Sequence, residues 1–169
     1  MSLAASLLPE FDQEMAKTRT TLERVPAEKF TWKPHEKSFS FMEMANHLAR
    51  IPEWGAATLS TESMDVAPEK GEYVPPPPAE TPDGVLAVFD EGVAGFRSAL
   101  EAASDEDLMK PWALLNRGEE LFKMPRIAVV RGMILNHVIH HRGQLTVYLR
   151  LNDLPIPALY GPSADEGGM

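Results

Sequence analysis

Apolar side chains recur at Leu3, Leu7, Leu8, Phe11, Met15 and Leu22, with Glu10, Lys17 and Arg19 between them. Steps of three and four residues collect the apolar set on one helical face, so the spacing predicts a first helix from Leu3 to Arg24, closed by Pro26. A second helix has the clearest start in the chain. Ser40 with Glu43 three positions on forms a capping box, and Phe39 with Met44 forms the hydrophobic staple that accompanies it. Its buried face then runs through Met44, His47, Leu48, Ile51, Gly55 and Leu59, with Pro52 inside the pattern as a source of a bend. A third helix opens on Thr81 as cap and Pro82 at the first helical position and buries Val85, Leu86, Phe89, Val93, Phe96 and Leu100. Pro125 opens a fourth, carried to about Leu151, with Val130, Ile134, Leu145 and Tyr148 on its apolar stripe and Asn152 to end it.

The connections are as informative as the helices. Residues 61–80 lose all periodicity and end in the polyproline run Pro75–Pro78, which must be extended and is long enough to return the chain to the starting end of a bundle. Ser104–Leu108 predicts a short capped turn, and Trp112–Met124, of mixed polarity and containing Gly118, predicts a connection with at most one helical turn. The tail from Pro155, rich in proline and glycine, predicts irregular structure, frayed over 161–169. The fold expectation is therefore all-α: one domain over 1–169, a four-helix bundle in up-down-down-up order, with a long crossover between helices 2 and 3.

Composition narrows the function. Sixteen basic against twenty-five acidic residues in 169 give a formal charge of -9, which opposes nucleic acid and anionic membranes as partners. No stretch approaches the roughly 20 apolar residues that span a bilayer, and Leu3–Leu8 is too short for a signal-peptide core, so the expectation is a cytoplasmic protein. The absence of cysteine excludes disulfides, thiolate ligands and a cysteine nucleophile, so any thiol chemistry needs a thiol from outside.

The candidate chemistry lies in histidine. On a helix His137 and His141 are rotated by only about 40° and separated by about 6 Å along the axis, so they share a face. That face includes Ile134 and Leu145, and His47 falls among apolar neighbours on helix 2. Three imidazoles that a bundle can bring together suit zinc, nickel, copper or iron, and three protein ligands leave open positions, as catalytic sites do. His140 is turned away from both neighbours and, with Gln144, is a candidate to support the ligands rather than join them. His35, among prolines, predicts a surface residue. The residue after His137 is Val138, not the glutamate of a metalloprotease helix, which counts against peptide hydrolysis. Glu43 could act as a base, but its capping role explains it. No catalytic residue beyond the ligands is identified.

The residues Asn46-His47-Leu48-Ala49, the run from His137 to Leu145 ending His-His-Arg-Gly-Gln-Leu, and the tail Tyr160-Gly-Pro-Ser-Ala-Asp-Glu166 together resemble the DinB/YfiT-like family of metalloenzymes, over nearly the whole chain. The resemblance implies a homodimer of four-helix bundles holding one divalent metal ion (zinc, nickel or iron) on residues matching His47, His137 and His141. That family includes thiol-dependent S-transferases and a thiol-dependent isomerase beside members with no known reaction. With no evident carboxylate base, the expected function is transfer of an external low-molecular-weight thiol to a small-molecule substrate. The alternatives are a metal-dependent hydrolase using metal-bound hydroxide and a non-enzymatic metal-binding stress-response protein.

Overall fold

The computed structural model describes residues 2–68 and 76–167. Helix α1 (Leu3–Leu22) is capped by the Ser2 side chain, and α2 (Phe41–Ser60) starts on the complete Ser40–Glu43 capping box. The strand β1 (Ser63–Asp65) follows α2 directly. Helix α3 (Pro82–Ala102) is capped by Thr81, and the short α4 (Asp105–Met109) by a second box, Ser104 with Asp107. Strands β2 (Pro111–Asn116) and β3 (Glu119–Pro125) then form a hairpin. The chain closes with a continuous helical stretch: α5 (Arg126–Val129), a π-helical segment over Val130–Leu135, and α6 (Asn136–Leu151). Every one of these side-chain caps satisfies backbone N–H groups that the first helical turn leaves unpaired, which is why the helix starts were legible in the sequence.

One core joins the four long helical stretches. Phe11 and Met15 of α1, Leu48 and Ile51 of α2, Phe89 and Phe96 of α3, and Val138, Leu145 and Leu149 of α6 are buried in a single cluster. The closest helix approach is between α2 and α3, where Gly55 faces the Phe96 ring and Gly92 faces Pro52 and Glu53. Pro52 lies within α2, which continues through it to Ser60.

The all-α four-helix bundle in up-down-down-up order is corrected by the sheet. Its strand order is β1-β2-β3, with β1 parallel and β3 antiparallel to β2. The segment expected to be a connection, Trp112–Met124, is the hairpin itself. Arg117 and Gly118 both have positive φ, 54° and 78°, the two-residue turn whose twist matches that of paired strands. Asp65 clasps this turn by accepting hydrogen bonds from the Arg117 and Gly118 amides at 3.1 and 2.7 Å. Two features hide the sheet from sequence. A register shift between Leu114 and Leu115 breaks the period-two alternation, and β1 has only three residues, whose partners lie some fifty positions away. Its inner side chains Trp112, Leu114 and Phe122 lie against Trp54, Val129 and Met133, so the sheet covers one side of the α2 and α5 junction.

Of the expected polyproline crossover, Pro75 lies outside the described residues. Pro76–Pro78 are in neither helix nor strand, and the Asn46 side chain pins the end of this connection, bonding the Ala79 carbonyl at 3.0 Å and the Ala79 amide at 2.7 Å. The segment 155–167 is likewise without helix or strand. Arg150 pairs with Asp165, Arg24 with Glu166, and Ser163 bonds the Ile156 carbonyl at 2.7 Å. The last two residues of the expected frayed end, 168–169, lie outside the described residues.

A candidate metal centre between two helices

The structure brings His47 of α2 together with His137 and His141 of α6. Ring centroids are 5.0 Å apart for His47 and His137, 4.5 Å for His47 and His141, and 4.6 Å for His137 and His141. One nitrogen from each ring falls in a group spanning no more than 4.8 Å, and among the described residues no carboxylate joins it. All three rings are half-buried rather than in the core. The expected stripe residues Val130, Ile134, Leu145 and Tyr148 are all buried, and Leu135, Val138, Arg142 and Leu149 are buried with them, so the histidines lie along the edge of a wider buried face. A π turn holds more residues than an α turn, so every side chain after Leu135 is rotated from where an unbroken α-helix would place it.

Electrostatics keep the rings neutral. Burial, reinforced by the like charges that His141 and His137 would carry, pushes the pKa of His47 down to about 4. Burial also lowers His137, with His141 adding to the effect and the Met133 backbone opposing it. For His141 burial outweighs the hydrogen bond to Gln144, which favours a proton. Neutral imidazole is the metal-binding form.

The arrangement meets the demands of an ion. His47 Nε2 and His137 Nε2 are 3.1 Å apart, and two nitrogens each about 2.0–2.1 Å from a tetrahedral ion sit about 3.3 Å apart. His141 Nδ1 is 2.7 Å from Gln144 Oε1, and the tautomer that donates this bond leaves the Nε2 lone pair free. His137 Nδ1 is buried without a well-formed hydrogen bond. The donor set therefore fits a divalent ion of intermediate softness, with the second ring nitrogen of His141 already held and that of His137 less so.

The remaining sequence candidates separate cleanly. His140 is exposed, its ring 4.9 Å from that of His141, and it is outside the cluster. Gln144 is the hydrogen-bond partner of His141. His35 is exposed on the loop before α2. Glu43 is held by the Ser40 backbone and side chain, bonds that lower its pKa, so capping is its role. A cleft of about 390 Å³ opens beside His141 and Gln144, walled by Pro34, Phe39, Met44 and Val147 and containing Lys37 and Ser38. Tyr148 forms part of its floor and donates a hydrogen bond to the Phe39 carbonyl at 3.0 Å, tying α6 to the loop that shapes the cleft.

Sequence reasoning missed the cluster behind the site. Arg142, next to His141, is 1 % exposed and donates to Glu14 Oε2 at 2.5 Å, to the Glu14 carbonyl at 3.0 Å and to Thr18 Oγ1 at 3.2 Å. Tyr160 accepts from Arg142 at 2.5 Å and donates to Glu14 at 2.7 Å, while the Lys17 ammonium sits 3.7 Å from its ring centre. A signal was present: Glu14 stands between Phe11 and Thr18, and Arg142 between Val138 and Leu145, so opposite charges occupy buried-face positions on two helices.

Long helices around one core, a small mixed sheet, and an open three-histidine cluster shared by two helices define a predominantly helical protein with a candidate metal centre. The family model of the DinB superfamily matches residues 10–145, and the chain belongs to that superfamily. Among solved structures, a DinB-like protein from Bacillus cereus is 20% identical, with a TM-score of 0.67 and coverage of 91% of this chain and 95% of that one. A DinB-like protein from Bacillus subtilis is 18% identical, with a TM-score of 0.65 and coverage of 89% and 95%. At these identities the likeness is one of fold. No curated protein matches the chain.

Proposed function

We propose that His47, His137 and His141 hold one divalent metal ion and that the protein uses this centre to transfer an external low-molecular-weight thiol to a small-molecule electrophile. The observation that carries the reading is the convergence of three imidazoles from two helices, one of which, His141, lines an open cleft, with no carboxylate in the cluster among the described residues. A divalent ion in such a site supplies Lewis acidity, lowering the pKa of a thiol or water that binds it.

The chain's own residues do the rest. Gln144 fixes the His141 ring so that one nitrogen faces the cluster. The apolar walls of the cleft favour an uncharged substrate body and exclude water from part of it, and Lys37 offers a cation to an anionic end of substrate or thiol. The chain has no cysteine, so the sulfur must arrive with the co-substrate.

Two measurements test the reading. Elemental analysis of the purified protein is expected to give about one divalent ion per chain, lost in His141→Ala without loss of helical circular dichroism, and unchanged in His35→Ala. Thiol consumption against a panel of electrophiles is expected only in the metal-loaded parent. If His141→Ala kept stoichiometric metal, the ligand assignment would fall; turnover of ester or amide probes without thiol would replace transfer by hydrolysis.

A further inference from the structure

A second pocket, of about 260 Å³, lies where the sheet meets the last helix, lined by Glu62, Lys110, Pro111, Lys123 and Arg126. In a chain of formal charge -9 it gathers three cations. Lys110 is already engaged, its ammonium 2.6 Å from Asp107. Lys123 and Arg126 have no carboxylate partner among the described residues. Arg126 is the unusual one. It is only 9 % exposed, its guanidinium donates to the neutral Thr61 carbonyl at 2.7 Å, and its Nε has no hydrogen-bond partner. A guanidinium that has lost most of its water without gaining an anion is costly, and a bound oxyanion would restore what burial removed. The Arg126 backbone N–H is itself occupied, donating to the Lys110 carbonyl at 2.9 Å, so the side chain is what the pocket offers.

We infer that this pocket binds a phosphate group, as the free ion or as the monoester of a small molecule. The Arg126 guanidinium and the Lys123 ammonium are the pairing that phosphate oxygens take. Glu62 at the same pocket limits the net positive charge and, with the acidic surface beyond, opposes a polyanion, so the ligand is a small molecule and not a nucleic acid. The pocket is distinct from the histidine cluster: Arg126 precedes His137 by eleven residues, about 16 Å along a helix.

Calorimetric titration of the full chain with inorganic phosphate and with phenyl phosphate, at constant ionic strength in chloride, tests the inference. Saturable binding of either is expected, phenyl phosphate binding the tighter if the native ligand is a monoester. Lys123 is exposed on β3, so Lys123→Glu should fold normally and bind about tenfold or more weakly, the loss of one charge-assisted hydrogen bond. Lys33→Glu, at the opposite end of α2 with the same change in net charge, should bind as the parent does. Absence of saturable binding by the parent overturns the inference. So does undiminished binding by Lys123→Glu, which is also what phosphate held by a metal at the histidines would give.

Discussion

Arg142 and Glu14 show how much one pair of side chains decides. Both are almost fully buried, and each satisfies the other together with Thr18 and Tyr160. Removing Arg142 leaves the buried Glu14 carboxylate with only the Lys17 ammonium at 3.6 Å and the Tyr160 hydroxyl, so Arg142→Met should cost about 3 kcal/mol, the lower end of what breaking a buried ion pair costs, read as a lower denaturant midpoint with helix content retained. Since Arg142 follows His141 directly, the same pair also holds α6 in the rotation that presents the histidines to α2. Several groups with lowered pKa then set the response of the metal-free protein to acid, His47 and Glu14 among them. Burial holds His47 at about 4, so between that value and about 6.5 the unfolded chain binds a proton that the folded chain refuses. Stability is complete above about 6.5 and falls as pH drops through that window. Glu14 acts with the same sign: burial raises its pKa, but bonds from Tyr160 and Arg142 outweigh this and leave it lowered, so its contribution is lost below the ordinary carboxylate range. Urea midpoints measured on metal-free protein should stay level from pH 8 to about 6.5 and decline from there to pH 4, and His47→Gln should flatten the upper part of that decline. A midpoint that rose on acidification would refute this assignment of neutral histidines.

At the scale of elements, the α2–α3 contact depends on an absent side chain. A Cβ on Gly55 would come within 2.4–2.6 Å of three Phe96 ring atoms, and Phe96 is itself held edge-on against Phe11 with centroids 5.0 Å apart. Gly55→Ala should therefore cost about 1–3 kcal/mol by overpacking, whereas Gly95→Ala, with nothing within 4 Å, should be neutral or mildly stabilising; thermal melts of the two variants distinguish them. Helix starts at Ser40, Thr81 and Ser104 were legible because a cap is a local device, complete within four residues. The sheet was not, because β2 gets its parallel neighbour from beyond α3 and its bulge removes the alternation that marks a strand. The π-helical segment was equally silent: Val130–Leu135 reads as ordinary apolar helix, yet its wider turn shifts the phase of α6 relative to α5.

At the scale of the whole molecule, Val147 and Leu151 stand one turn apart on α6 and are 55 % and 59 % exposed, two neighbouring apolar side chains on the outer face of the helix. We propose that this pair is part of a homodimer interface, the assembly implied by the family resemblance. Light scattering should report a dimer for the parent and a monomer for Leu151→Glu; a monomer for the parent across a wide concentration range would refute it. Among the described residues no helix is long and apolar enough to cross a membrane. What the sequence by itself determined is whatever depends on neighbours within a turn or two: the four long helical stretches, the caps at Ser40, Thr81 and Ser104, and the pairing of His137 with His141 at ligand spacing. The meeting of His47 with that pair rested on the fold, since the two helices lie ninety residues apart and only core packing sets their distance and rotation. The sheet, the buried Arg142–Glu14 pair and the basic pocket at Arg126 were decided by tertiary structure alone. Each needs groups from segments far apart in the chain, and no local pattern records which distant segment will arrive.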